Sequence, residues 1–373
     1  GLNAYRFSIE WARIEPKQGV YDENEIEHYR KVLTCCRENG VEPIVTMMHF
    51  TSPKWLIENG GWENEATVEA FKNYCQYVTE QLGDLMHYVC TINEANMGIQ
   101  VAAISARYRA QMMAKMQRMQ QGGAEEKKDL EGTAQVGMNF NDMMANMQKQ
   151  KEENVEIFGT DTLQTFVSAR TPEGDMLVIR AHQAARAAMK AVKPELQIGL
   201  TLSLHDIQAQ EGGEETAAKE WVDEFTHYVP YIKEDDFFGL QNYSRSLIGP
   251  NGILPVPEGA EITQMDYEYY PEGLEHVIRR VYEEMPMPIM VTENGIATAD
   301  DTRRVAYIQT AMKGVENCIQ DGIPVKGYMY WSMMDNFEWQ KGFGMTFGLI
   351  SVDRTTQTRT AKPSLTVLGN YTK

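Results

Sequence analysis

Two acidic dipeptides, Asn93-Glu94 and Glu293-Asn294, each close a short apolar run, residues 88–93 for the first and 288–293 for the second. Other reactive or ring-binding side chains end similar runs: His49 follows residues 43–48, Tyr243 closes 237–243, and Trp331 lies near the end of 325–332. Two carboxylates held about 5 Å apart are the arrangement of retaining glycoside hydrolysis, in which one attacks the sugar and the other moves a proton. Either dipeptide alone is a weak signal; both at the ends of apolar runs, accompanied by aromatic and amide side chains, form a stronger one. Metal chemistry finds no support. The seven histidines are scattered and no HExxH pair occurs, so neither a metal nor another cofactor is expected.

The runs that carry these residues read as strands: 5–9, 43–48, 88–93, 197–202, 237–243, 288–293 and 325–332. Most are apolar on both faces, as parallel strands covered by helices must be. Between them lie stretches of helical period at 22–39, 66–82, 172–192, 214–228, 271–285 and 302–321. Seven strands in strand–helix order suggest an α/β fold, either an open doubly wound sheet or a (β/α)8 TIM barrel one unit short. No GxGxxG or GxxxxGK[ST] follows a strand, which removes the main support for nucleotide binding. A barrel entered at its second strand also accounts for Gly1-Leu2-Asn3 running directly into an apolar stretch, with any targeting signal lost upstream. In such a barrel the site lies at the carboxyl ends of the strands, and glutamates three strands apart face each other across the mouth. The expected organisation is one barrel over 1–373, with residues 97–170 an excursion above the active-site face. Residues 97–147 hold nine of the 23 methionines, which reads as a loosely packed, partly helical insertion or as a lid shaping an apolar entrance.

With 373 residues, 43% hydrophobic and 24% charged, the chain can bury a large core. An excess of 53 Asp+Glu over 35 Lys+Arg, a formal charge of −18, argues against nucleic acid as a partner. No run approaches 18 apolar residues, so no membrane span is expected. Five cysteines, with Cys35 and Cys36 adjacent and no CxxC, read as reduced thiols and a cytoplasmic location. On that view the sequons at Asn242-Tyr243-Ser244 and Asn370-Tyr371-Thr372 are chance. Oligomeric state is not legible.

Four ordered motifs resemble glycoside hydrolase family 1, the β-glucosidase family. Thr91-Ile92-Asn93-Glu94-Ala95 is similar to its Thr-Phe/Leu-Asn-Glu-Pro motif, and Val291-Thr292-Glu293-Asn294-Gly295 to its Ile/Val-Thr-Glu-Asn-Gly motif. Residues 5–14, Tyr-Arg-Phe-Ser-Ile-Glu-Trp-Ala-Arg-Ile, are similar to its second-strand signature. Residues 331–339, Trp-Ser-Met-Met-Asp-Asn-Phe-Glu-Trp, followed by Phe347-Gly348-Leu349 and Val352-Asp353, are similar to its carboxyl-terminal block. The resemblance implies a (β/α)8 barrel whose first strand and helix would precede Gly1.

It also implies roles. Glu293 would be the nucleophile, with Arg6 beside it supplying the opposite charge that favours a carboxylate and Tyr243 hydrogen-bonding it. Glu94 would be the acid/base, and Asn93 would hold the sugar 2-hydroxyl. His49 would bind near the 3-hydroxyl, Glu338 and Trp339 would address the 3-, 4- and 6-hydroxyls, and Trp331 would floor the ring. Phe50 and Gln241 occupy family binding positions usually held by Trp and Asn, and Ala95 replaces a proline, an exchange expected to loosen the turn that aims Glu94. Each residue has a structural alternative: Arg6 a buried ion pair, His49 a core histidine, Trp331 and Trp339 core aromatics, Asn93 and Gln241 caps on strand ends. The expected substrate is a small β-glycoside or oligosaccharide, β-D-glucosides first. A 6-phospho-β-glycosidase is the nearest alternative, disfavoured because the Glu338 carboxylate would repel phosphate and because Lys341 lacks a Ser-x-Lys context. A sugar-binding barrel without turnover is the alternative from another class.

Overall fold

The computed structural model describes residues 1–120 and 140–372, so residues 121–139 of the Met-rich stretch lie outside the described residues. The chain contributes strands β1 (Ala4–Ser8), β2 (Glu42–Met48), β3 (Tyr88–Ile92), β4 (Gln197–Gly199) and β5 (Thr201–Ser203). Then come β6 (Asp206–Ala209), β7 (Phe238–Gln241), β8 (Arg245–Gly249), β9 (Gly252–Ile253), β10 (Ile289–Asn294) and β11 (Val325–Tyr330). Two four-stranded parallel sheets form, β1-β2-β3-β4 and β11-β10-β7-β5. They are joined where β4 runs into β5: the run pairs with β3 up to Gly199 and with β7 from Thr201 onward. The order follows the chain without reversing, which is the curved wall of a (β/α)8-type barrel and corrects the open doubly wound alternative. Seven barrel strands lie in the described residues. Among the described residues strand β1 pairs only with β2 and β11 only with β10, and a groove of about 350 Å³ lies between their edges.

Local chemistry accounts for the frame. Strand β2 is buried along both faces from Pro43 to Met48, matching a parallel strand enclosed by helices. Helix Pro172–Val192 begins with proline in its first turn after Thr171, whose hydroxyl accepts from the Gly174 amide at 3.0 Å. Asp22 and Asp300 cap helices Glu23–Glu38 and Asp301–Gln320 in the same way. The bottom of the barrel is filled by Ile44, Cys90, Phe237, Met290 and Met329, so the interior is a packed core with room left at the carboxyl ends of the strands.

Two features differ from the sequence expectation. The helix expected over 214–228 stops at Trp221 and continues as a π-helical turn, Val222–Thr226. That turn brings Glu224 onto His205, with Oε1 2.7 Å from Nδ1 and Oε2 accepting from the His205 amide at 3.1 Å. Strands β6, β8 and β9 form a separate three-stranded sheet that periodicity did not reveal. Helices Met97–Gln120 and Phe140–Phe158 flank the undescribed residues. Among the described residues no helix is long and apolar enough to cross a membrane.

Candidate active site

At the carboxyl ends of the strands lies a cavity of about 250 Å³, and both glutamates line it. Glu293 sits within β10, so the strand itself fixes its backbone. Its Oε1 accepts from Arg6 Nη1 at 2.6 Å and its Oε2 from the Tyr243 hydroxyl at 2.7 Å. Arg6 comes from β1 and Tyr243 follows β7, so three strands converge on one carboxylate. The Arg6 and Glu293 side chains are each about 6% exposed. An ion pair so removed from water fixes position as well as charge.

Arg6 also reaches Asn93. Its Nη2 lies 2.5 Å from Asn93 Oδ1, which in addition accepts from Gln241 Nε2 at 2.8 Å. Two donors on the same oxygen settle the amide orientation and leave Asn93 Nδ2, a buried atom without a partner among the described residues, free to donate. Arg6, Asn93 and Gln241 are therefore gathered with the others, yet they lie under the cavity and not among its lining residues.

Glu94 is built differently. It follows the end of β3 in a left-handed conformation, φ +44°. Burial first, and then the charge of Glu293, push its carboxyl well above the ordinary range, while a hydrogen bond from Ser203 and the charge of Arg6 pull the other way. The proline-to-alanine exchange at 95 does not leave the turn loose, because the Ala95 amide donates to the Thr201 carbonyl at 3.0 Å and its carbonyl accepts from buried Arg170 Nη1 at 2.8 Å.

The ring-binding candidates also line the cavity. His49 packs against both Trp331 and Trp339, with centroids 5.7 and 5.8 Å away, and burial followed by the Arg6 charge lowers its pKa to about 3, so the imidazole is neutral. Phe50, at φ +69°, contacts Trp339 and Phe166 with centroids 5.1 and 5.9 Å away. Trp339 is 43% exposed, so it is a wall of the opening and not a core aromatic. Glu338 is held on a turn closed by its amide donating to the Gly342 carbonyl at 2.8 Å. Burial and then Glu293 raise its pKa to about 7. Lys341 is turned toward Asp266, Nζ to Oδ2 3.7 Å.

Sequence reading did not single out Ser203, Met97, Met265, Tyr267 or Gln150, all of which line the cavity. Ser203 ends β5, so its place at a strand's carboxyl end was an available signal. Met265 and Tyr267 come from a loop between β9 and β10 that no periodicity marks. The sequon at Asn242 is closed: that side chain is buried and donates to the Leu204 and Ser244 carbonyls, each at 2.9 Å.

The sequence matches the model of glycosyl hydrolase family 1 over residues 1–121 and 99–371. It is similar to the beta-glucosidase A of Thermotoga maritima, 27% identical over 413 residues that cover 98% of this chain and 81% of that protein. The fold is similar to the crystal structure of the beta-glycosidase BGL167, with TM-score 0.82, 42% identity and coverage of 99% of this chain and 82% of the other. It is also similar to the apo structure of beta-glucosidase 1317, with TM-score 0.84, 36% identity and coverage of 100% and 84%.

Proposed function

From the premise that the chain belongs to glycosyl hydrolase family 1, and is thus a retaining β-glycosidase acting on β-glucosides, we propose that Glu293 is its nucleophile and Glu94 its acid/base. The observation that carries this assignment is the contrast between two carboxyls on one cavity. Glu293 has an arginine and a phenol on its two oxygens, whereas Glu94 is kept protonated by burial and by the neighbouring charge. Glu293 attacks the anomeric carbon as the bond to the leaving oxygen breaks, and the Glu94 proton passes to that oxygen. The product is an ester between Glu293 and the sugar. Esterification removes the Glu293 charge, so the electrostatic push on Glu94 ends. Glu94 remains a carboxylate and takes a proton from the water that cleaves the ester.

Arg6 and Gln241 orient Asn93 so that its free Nδ2 meets the sugar 2-hydroxyl. His49, neutral between two indole rings, faces the ring hydroxyls, with Phe50 beside it and Trp331 as the floor. Glu338 and Trp339 address the 3-, 4- and 6-positions, which favours a neutral sugar over a 6-phosphate; Lys341, engaged with Asp266, offers phosphate little. Residues 97–170 contribute Met97, Gln150 and Val167 to the cavity and thereby shape its leaving-group side. The free thiols at 35, 36, 75, 90 and 318 fit a reducing, cytoplasmic setting.

A 2-deoxy-2-fluoro-β-D-glucoside with an activated leaving group tests the assignment. It is expected to inactivate the enzyme with one sugar bound per chain, on the peptide carrying Glu293. Label on any other residue, or none despite release of the leaving group, would overturn it.

A further inference from the structure

We propose that Thr201 is the positioning residue for the acid/base: its hydroxyl and carbonyl together hold Glu94 in the left-handed turn from which the carboxyl reaches the leaving oxygen. The inference rests on the reading of Glu94 as proton donor and concerns how this chain aims it.

The need for such a residue follows from the strand pattern. Up to Asn93 the backbone stays on the ladder between β2 and β3, with the Asn93 amide donating to the Met48 carbonyl at 2.8 Å. On the other side of β3, pairing with β4 ends at Gly199. Beyond that point the run turns its hydrogen bonds toward β7, and the Leu200 carbonyl is taken by the Gly239 amide at 2.9 Å. The Glu94 amide therefore leaves the end of β3 with no ladder carbonyl to receive it, at a buried residue whose φ of +44° is itself unfavourable for a side chain other than glycine.

Thr201 fills the gap three times over. Its Oγ1 accepts from the Glu94 amide at 3.0 Å and donates to the Ile92 carbonyl at 3.3 Å, and its own carbonyl accepts from the Ala95 amide at 3.0 Å. One residue thus bonds the backbone on both sides of Glu94. Its side chain is seated against β7: a Cβ placed on Gly239 would fall 2.5 Å from Thr201 Cγ2, so that the strand is bare where the methyl rests. The methyl in that seat directs the hydroxyl toward the turn. Farther along, the Asn96 side chain bonds the Ser203 carbonyl at 2.7 Å and accepts from its amide at 3.0 Å. The whole turn is thereby stitched to β5, the strand that also presents Ser203 to the Glu94 carboxyl.

Thr201→Val keeps the seated methyl and replaces the hydroxyl by a second methyl, leaving the Glu94 amide and the Ile92 carbonyl without that partner. A displaced proton donor is felt only where protonation limits the rate. For an alkyl β-D-glucoside, kcat/KM is expected to fall about 30-fold. For 2,4-dinitrophenyl β-D-glucoside, whose leaving group needs no proton, it is expected to fall less than about 3-fold. Thr201→Ser, which keeps the hydroxyl, restores most of the alkyl activity. Equal losses on both substrates, or no loss on either, would overturn the proposal. Glu94→Gln is measured in parallel: if it shows the leaving-group dependence and Thr201→Val does not, Thr201 alone is misassigned, and if Glu94→Gln loses both activities equally, the reading of Glu94 falls and this one with it. Should Thr201→Val fail to fold, Thr201→Ala, which empties the seat against Gly239, carries the same comparison.

Discussion

The two glutamates share a cavity, but their surroundings differ in kind. Glu293 belongs to a regular strand and is held by its side chain, one oxygen on Arg6 and the other on Tyr243. Glu94 belongs to a turn and is held by its backbone, through Thr201 and the bonds on either side of Ala95. A nucleophile must carry charge and stay in line with one carbon, and both needs are met by donors on the carboxylate. A proton donor must stay protonated while protein groups leave its acidic oxygen free to meet the substrate, so ion-pairing it would defeat its task. The same side chain thus serves two jobs because one is anchored at its tip and the other at its root.

The largest effects separate these two anchors. Glu293→Gln removes the attacking atom, so the loss in kcat/KM is expected to be at least about 10⁴-fold for alkyl and dinitrophenyl glucosides alike. Glu94→Gln is expected to cost about 10²- to 10⁴-fold with an alkyl leaving group and less than about 10-fold with dinitrophenolate. The sign of the pH dependence follows from the raised Glu94 pKa: the donor is protonated below that value, and activity on alkyl glucosides falls as pH rises through it. The alkaline limb should vanish in Glu94→Gln. If that limb persists, or if the Glu293→Gln loss depends on the leaving group, the contrast between the two anchors is wrong.

How much of this was written in the sequence also divides along the same line. The strand that leads to Glu94 and the one that bears Glu293 could be placed because they are buried on both faces and read as short apolar runs, and the resemblance to a known family put names to Arg6, Asn93, Tyr243 and Trp331. Contacts that act through backbone groups left no such trace. Thr201 is one threonine in an apolar run, and only the change of pairing partner at Leu200 gives its hydroxyl a purpose. Ala95 illustrates the converse: proline rigidifies a turn by its ring, and reading its loss as looseness overlooks the amide that alanine restores, here bonded to Thr201. The π-helical turn at Val222–Thr226 was invisible because its residues keep a helical composition while their hydrogen bonds shift by one position. Residues between β9 and β10 reach the cavity as Met265 and Tyr267 from a segment without period, where only three-dimensional closure decides what faces inward.

The smallest expected effect concerns a third carboxyl, Glu338, which shares the cavity and takes a hydrogen bond from the Trp331 side chain but has neither the arginine nor the phenol that hold Glu293. Its Oε2 is buried without a partner among the described residues, and burial followed by the Glu293 charge raises its pKa from 4.5 to about 7. A carboxyl whose pKa is higher in the folded state holds its proton there after the unfolded chain has lost it. Stability therefore declines as pH rises from about 4.5 to about 7, and is lower by a constant amount above that window. Glu338→Gln abolishes the titration, so the variant's advantage in Tm over wild type should be near its minimum at pH 4.5 and reach its full value by pH 8, equivalent to about 3 kcal/mol. Thermal melts at the two pH values measure it directly. An equal Tm difference at both would mean that Glu338 is not strained by ionisation. It would then belong with Glu293, as a carboxylate satisfied at its tip, and not as one whose Oε2 is left unpaired.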